Sequence, residues 1–160
     1  MPGQISRYQK RVSGPMLDRI DIHLDVPSVE TQKLVSKNKK KSDSSAVIQK
    51  RVQSARDIQT KRFAKTNLPA RLNSAKRTGK AGIKSNAEMS TRSVKKFCPL
   101  SSKCRTMMMS ATASMNISAR SYFKVIKIAR TIADLDGKKN VLTNHLAEAL
   151  QNRPQKEDCF

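Results

Sequence analysis

The chain has 160 residues, of which 37% are hydrophobic, enough for one modest core. Lys and Arg number 33 against 12 Asp and Glu, which gives a formal net charge of +21. This excess excludes an acidic surface and attracts polyanions, so DNA bound electrostatically and with low specificity is the first partner to consider. No apolar run approaches the ~18 residues that span a bilayer, and the first residues are polar, so we expect a soluble, cytoplasmic protein without a membrane segment.

The cysteine and histidine residues of this chain do not form a recognisable metal-binding pattern. The spacing of Cys98, Cys104 and Cys159 fits neither a disulfide framework nor a zinc site, which favours a reducing cytoplasm. His23 and His145 are too isolated to predict a catalytic or metal-binding pair, and single histidines of this kind are usually structural. We therefore predict no metal site.

One segment near the N-terminus has the alternation of a β-strand. Ile20, Ile22, Leu24 and Val26 alternate with polar residues, and Pro27 follows them. No second segment of comparable quality offers a ladder partner. The sequence therefore predicts an extended N-terminal arm with one orphan strand over 20–26.

The remainder of the chain up to Arg153 has helical periodicity. Helices are predicted over 46–63, 91–97, 101–115 and 118–135, followed by a last helix capped by Thr143. Ser118 is a predicted N-cap, and Gly137 stands where a helix end requires a positive φ. The predicted fold class is mainly α: a helical bundle preceded by the extended arm.

Apolar residues recur at helical spacing in two of these predicted helices. In the first they predict a packed face with basic residues around it, formed by Ile48, Val52, Ala55, Ile58 and Phe63. In the third they form a methionine-rich stripe that is more typical of core packing than of a binding surface, formed by Leu100, Cys104, Met107, Met108, Ala111 and Met115.

Two basic segments are candidate nucleic-acid contacts. The first is a cluster before the first predicted helix, and the second is a predicted disordered loop over about 64–85 that contains no acidic residue. The residues predicted to meet phosphate groups are Lys39, Lys40, Lys41, Arg71, Lys76, Arg77, Lys80 and Lys84.

A phosphate-cradling loop is not found in the sequence. Gly79 and Lys80 offer the only candidate, but Ser74 replaces the first glycine and Ala81 replaces the hydroxyl residue that would bind Mg²⁺. We therefore predict that this chain binds no nucleotide cofactor and hydrolyses no ATP by itself.

Long segments resemble the magnesium-chelatase-like AAA+ proteins of the ComM (YifB) type. RYQKRVSGPMLDRIDIHLDV at 7–26 resembles the family pattern S-G-P-L-L-D-R-I-D-I, with Met16 in place of Leu. NISARSYFKVIKIARTIADLDG at 116–137 resembles N-L-S-A-R-A-Y-x-R-x-L-K-x-A-R-T-I-A-D-L, and further matches cover 44–63 and 146–153. The resemblance spans nearly the whole chain in the order of the family.

The resemblance implies roles for two arginines. Arg19 resembles an arginine finger that reaches the nucleotide of a neighbouring subunit; the alternative is an ion pair with Asp18 or Asp21. Arg120 resembles the sensor 2 arginine that contacts nucleotide phosphates; the alternative is an ordinary exposed arginine at a helix start.

The resemblance also implies a division of the chain. Residues 1–43 would be the remainder of an AAA+ core, 44–153 the helical lid, and 154–160 a tail. The implied family role is ATP-driven and Mg²⁺-dependent remodelling of DNA, such as branch migration during competence and recombination, by a homo-hexameric ring. The alternative is a small basic protein that binds nucleic acid through sequence-independent phosphate contacts.

Overall fold

The computed structural model describes residues 16, 18–24, 26–28, 43–64 and 83–153. Five α-helices lie in this part of the chain: α1 (Ser45–Ala64), α2 (Thr91–Phe97), α3 (Ser102–Met115), α4 (Ala119–Leu135) and α5 (Thr143–Gln151). A 3₁₀ turn covers Asn86–Glu88. The predicted mainly helical fold is confirmed.

Helix α4 occupies the centre of the bundle. Its residues Val125, Ala129 and Ala133 recur every four positions and are completely buried. The helix packs against α1, α2, α5 and the 3₁₀ turn, while α3 packs against α5. Cys104 and Met108 are the most deeply buried members of the methionine-rich stripe, whose prediction as core is confirmed.

Serine side chains cap the starts of three helices. The hydroxyls of Ser90, Ser101 and Ser118 accept hydrogen bonds from backbone N–H groups in the first turns of α2, α3 and α4. The prediction for Ser118 is confirmed. Thr143 as a cap is wrong, because Leu142 holds that position and its N–H donates to Nδ1 of the buried His145 at 3.1 Å.

A glycine ends α4 in the left-handed conformation. Gly137 has a φ of 66°, as predicted. Its N–H donates to the carbonyl of Asp134 at 3.1 Å, and the N–H of Lys138 donates to the carbonyl of Ala133 at 2.8 Å. This pair of bonds is a Schellman motif, which fixes the direction in which the chain leaves the helix.

The residues in the first half of α1 are exposed. Ala55, Gln59 and Phe63 are its buried residues, all in the second half of the helix. The predicted packing of Ile48 and Val52 is wrong: their exposed fractions are 43% and 39%, and Val52 borders open depressions instead of a packed core.

The predicted strand is not formed in the described residues of the arm. Residues 20–24 and 26–28 have no strand assignment, and the exposed fractions of Leu24 and Val26 reach 75% and 84%. Alternating side chains alone do not make a strand, because the backbone groups of a strand need a ladder partner.

Two thiols lie inside the bundle. Cys98 and Cys104 are buried and free. Burial raises the pKa of Cys98 to about 11, even though Arg130 and Arg62 lie close enough to oppose the shift. A thiol with so high a pKa is almost entirely protonated near neutral pH and is therefore a weak nucleophile.

Candidate nucleotide-sensing site

A carboxylate from the arm is bound at the start of α4. Asp18 accepts hydrogen bonds from the hydroxyls of Ser118 and Ser121, the former at 3.2 Å, and from Nη2 of Arg153 at 3.2 Å. Arg153, at the end of α5, is itself buried and donates to Ser121 Oγ as well. We call this set of residues, together with Lys124, the Asp18 clamp.

Lys124 and Arg153 also hold the backbone of the arm. The Nζ of Lys124 donates to the carbonyls of Asp18 at 3.1 Å and Arg19 at 2.5 Å, and it forms an ion pair with Asp21 at 2.7 Å. Nη1 of Arg153 donates to the carbonyl of Ile20 at 3.0 Å. The arm is therefore attached to the bundle through its main chain as well as through one side chain.

The clamp favours the ionised form of Asp18. The hydrogen bond from Ser121 lowers the pKa of Asp18 most; burial opposes this, and Ser118, Arg153 and Lys124 add to the lowering. The net result is a pKa below the ordinary value. The N-terminal end of the α4 dipole also favours a negative charge at this place.

The clamp brings the predicted arginine finger, Arg19, to the end of α4 that carries Arg120, the predicted sensor 2 residue. Arg19 follows Asp18 in the chain, and Arg120 lies between the two serines that bind Asp18. Both arginine side chains are exposed. Arg19 pairs with neither Asp18 nor Asp21 among the described contacts; these carboxylates are bound by Arg153 and Lys124 instead.

Most of the predicted nucleic-acid contacts lie outside the described residues. These are Lys39, Lys40, Lys41, Arg71, Lys76, Arg77 and Lys80, together with most of the predicted loop. Lys84 is described: its side chain is exposed, and its backbone N–H donates to the Glu88 carboxylate at 3.0 Å.

A second ionic cluster is buried in the bundle around Asp134, near the C-terminal end of α4. Asp134 accepts hydrogen bonds from both Nη groups of Arg62, from Asn86 Nδ2 at 2.8 Å, and from Arg130 Nη2 at 2.7 Å. The pair of Arg130 and Asp134, four residues apart on one helix, follows from helical spacing. Arg62 is one of the basic residues beside the predicted packed face of the first helix, but its side chain is only 15% exposed because it turns inward to Asp134.

Sequence reasoning missed the partners that build both clusters. Arg153 belongs to the segment 146–153 that resembles the family ending, and this was the available signal for it. Arg62 and Lys124 lie in the segments 44–63 and 116–137 that also resemble the family, but periodicity alone does not distinguish them, or Asn86, from surface residues.

Replacing Asp18 with alanine is expected to release the arm while the bundle stays folded. The N–H of His23 donates to the carbonyl of Asn152 at 2.9 Å, so its hydrogen exchange reports the attachment of the arm. Hydrogen bonds to a charged group contribute about 1.5–3 kcal/mol each, so we expect His23 to exchange about 10- to 100-fold faster in Asp18→Ala.

The matched control is Asp43→Ala, which removes the same charge from an exposed residue that pairs loosely with Arg51 at 3.9 Å. Hydrogen exchange of the Ala129 N–H, inside α4, should be the same in the unmodified chain, in Asp18→Ala and in Asp43→Ala. Equal His23 exchange in Asp18→Ala and the control would show that the clamp does not hold the arm.

A helical bundle that binds an arginine-bearing arm at the start of its central helix is consistent with the helical lid that the resemblance implies. Residues 42–153 match the family described as magnesium chelatase, subunit ChlI C-terminal, and residues 1–34 match magnesium chelatase, subunit ChlI. The chain belongs to the magnesium-chelatase-like family of the ComM and YifB type.

Three relatives extend this assignment. The chain is 32% identical over 152 residues to competence protein ComM of Haemophilus influenzae and to YifB of Escherichia coli, described as uncharacterized. It is 30% identical to YifB of Salmonella typhimurium. Each match covers 95% of this chain and 26% of the relative, so the chain spans about a quarter of their length. None of the described helices is long and apolar enough to cross a membrane.

Proposed function

We propose that this chain is the lid and arginine-finger part of an ATP-driven ring motor that remodels DNA. The observation that carries the proposal is the Asp18 clamp, which holds exposed Arg19 and Arg120 at one end of α4. Two exposed arginine side chains at the same end of one helix suit the recognition of a polyphosphate.

Arg19 serves as the arginine finger in this proposal. Its planar guanidinium group stabilises the negative charge that develops on the γ-phosphate of a neighbouring subunit. Lys124 positions Arg19 by binding its carbonyl oxygen, which leaves the side chain free for this contact. The Asp18 clamp therefore transmits movements of the lid to the finger.

Arg120 serves as the sensor 2 residue. The carboxylate of Asp18 already lies at the start of α4, where a phosphate group would otherwise benefit from the helix dipole. Arg120 would therefore contact the nucleotide through its side chain. Because the clamp places both arginines at one end of α4, one nucleotide at a subunit boundary would meet both of them.

The nucleotide-binding loop and the Mg²⁺ ligands of this motor would come from a segment outside this chain. Among the described residues no group of three or more His, Cys, Asp or Glu is placed to hold a metal ion. ATP with Mg²⁺ supplies the free energy of the motor when bound. This chain contributes two arginines, Arg19 and Arg120. Their positive charges stabilise the phosphate groups of the nucleotide and detect whether those groups are present.

The test compares the purified chain with a chimera. In the chimera this chain replaces the matching quarter of ComM from Haemophilus influenzae, and the remaining sequence of that relative is kept. We expect no ATP hydrolysis by the purified chain and steady hydrolysis by the chimera, stimulated by DNA. Hydrolysis by the chain alone, or an assembled chimera that hydrolyses no ATP, would contradict the proposal.

A small basic nucleic-acid-binding protein is the second candidate function. The observation that favours it is the net charge of +21, which requires no nucleotide site to attract DNA. The two candidates differ in one respect: if the chain only binds nucleic acid, DNA would not stimulate ATP hydrolysis by the chimera.

A further inference from the structure

A basic groove lies between α1 and the turn that connects α4 to α5. It is an open depression of about 570 Å³. Its lining residues are Ile58, Lys61, Arg62, Gly137, Lys138 and Lys139. Sequence reasoning placed the nucleic-acid contacts elsewhere, because these lysines stand apart in the chain and form no conspicuous run.

The α4–α5 side of the groove is held in place from inside the bundle. The Schellman motif at Gly137 fixes the path of the turn. Arg130, whose side chain is only 2% exposed, donates from Nη1 to the carbonyl of Lys139 at 2.6 Å and from Nη2 to the carbonyl of Lys138. The two lysines are therefore anchored through their main chain, while their side chains remain exposed.

The charge beneath the groove is positive. Arg62 and Arg130 share the single carboxylate of Asp134, so this cluster retains one net positive charge. The hydrogen bonds of Arg62 keep its guanidinium at the floor of the groove. The potential of this charge is screened less by solvent than that of a freely exposed lysine.

The cations at the rim are not neutralised by any carboxylate in the part of the chain that the structure describes. Lys61, Lys138 and Lys139 form no ion pair with a carboxylate of the described residues. The nearest acidic residue in the turn, Asp136, is directed to His145 Nε2 at 3.3 Å. Three ammonium groups without a described carboxylate partner therefore face one open depression, beside an arginine pair that retains one net positive charge.

We infer that this groove binds the phosphate backbone of duplex DNA. The inference rests on the proposed DNA contact and assigns it to particular residues. Phosphate groups of a duplex recur at short intervals, so neighbouring ones can meet ammonium groups on both walls of the groove at the same time. None of the exposed large apolar side chains of the described residues lines the groove, which argues against insertion into a lipid surface.

The test is fluorescence anisotropy of a labelled mixed-sequence duplex as salt is raised from 50 to about 300 mM. The groove variant carries Lys61→Ala, Lys138→Ala and Lys139→Ala. Its control carries Lys50→Ala, Lys95→Ala and Lys103→Ala, three exposed lysines outside the groove with the same loss of charge. Circular dichroism verifies that both variants fold.

Each phosphate contact contributes about 0.9 to the slope of log K against log salt, so the groove variant should lose about 2–3 from that slope. We expect its affinity to fall about 10- to 100-fold at low salt and that of the control to fall much less. The difference measures the contribution of the groove apart from net charge.

The possible results of this experiment distinguish a failure of the groove as the binding site from a failure of DNA binding by the chain. Equal losses in the two variants would overturn the groove and leave DNA binding by the chain standing. No binding by the unmodified chain at low salt would overturn both. Binding that the groove variant loses for vesicles containing anionic lipid but not for duplex DNA would assign the groove to a membrane surface and overturn the inference.

Discussion

Asp134→Ala is expected to lower the free energy of unfolding by about 3–5 kcal/mol, the usual cost of removing one partner from a buried ion pair. The Asp134 side chain is fully buried, and it neutralises Arg130, which is 2% exposed. Without the carboxylate, two guanidinium groups would face each other inside the bundle with no counter-charge. Urea unfolding followed by circular dichroism measures the change.

Two comparisons test the reason for this loss. Asp57→Ala removes an exposed carboxylate whose described contact is a hydrogen bond from Gln53 at 2.8 Å, and it should cost about 0–1 kcal/mol. Adding Arg130→Met to Asp134→Ala removes one of the stranded charges, so the double variant should be less destabilised than the sum of the two single changes. A loss below about 1 kcal/mol in Asp134→Ala would contradict the ionic role of the cluster.

The same cluster predicts a dependence on pH. Burial raises the pKa of Asp134, but the hydrogen bonds from Arg62 and Asn86 and the charges of Arg130 and Arg62 outweigh it, so the pKa lies below the ordinary value of 3.8. A lowered pKa means that the stabilisation is complete above the unfolded value and is lost as the pH falls through the folded value. The difference in stability between the unmodified chain and Asp134→Asn should therefore narrow with acidification below about pH 4.

Local features of this fold were predictable from sequence because they depend on neighbouring residues. The cap at Ser118, the left-handed Gly137 and the pair of Arg130 with Asp134 all involve residues within a few positions of one another. Their geometry is set by the α-helix itself. The helix boundaries agree with the predictions to within one or two residues for the same reason.

Contacts between distant segments could not be predicted in this way. Arg62 and Asp134 are 72 positions apart, and Arg153 and Asp18 are 135 positions apart. On α1, Arg62 has the same local environment as its exposed neighbour Lys61, and only the packed bundle turns one inward and the other outward. Charged residues are usually exposed, so periodicity alone assigns both to the surface.

The N-terminal arm shows another reason why sequence alone could not predict the structure. Its alternating residues predicted a strand, yet a strand is a property of a pair of segments, and no described segment pairs with 20–26. Arg19, by contrast, was singled out by the resemblance at 7–26, whereas Asp18 was considered only as its ion-pair partner; the contacts of Asp18 with α4 explain how such an arm stays attached. The position of the candidate site was thus predicted in part, and its supporting residues were not.

Arg19→Ala is expected to lower kcat for ATP hydrolysis by the chimera about 1,000-fold or more, which is the range of a lost arginine finger. Arg19→Lys should recover little, because a single ammonium group cannot reproduce the planar fork of guanidinium. The control is Arg92→Ala, which removes an exposed arginine on α2. Equal activity of Arg19→Ala and the control would show that Arg19 is not a catalytic residue.

Mixing subunits distinguishes a finger that acts in a neighbouring subunit from one that acts in its own. One chimera carries Arg19→Ala, and a second has its upstream phosphate-binding lysine replaced, so each is inactive alone. In a mixed ring some boundaries join an intact nucleotide site of the first chimera to an intact Arg19 of the second, and hydrolysis should return at those boundaries. If Arg19 acted within its own subunit, no boundary would contain a complete site and the mixture would stay inactive.

The Asp18 clamp makes the same experiment informative for Arg120. Because the clamp holds Arg19 at the end of α4 where Arg120 lies, Arg120→Ala should follow the same pattern of rescue.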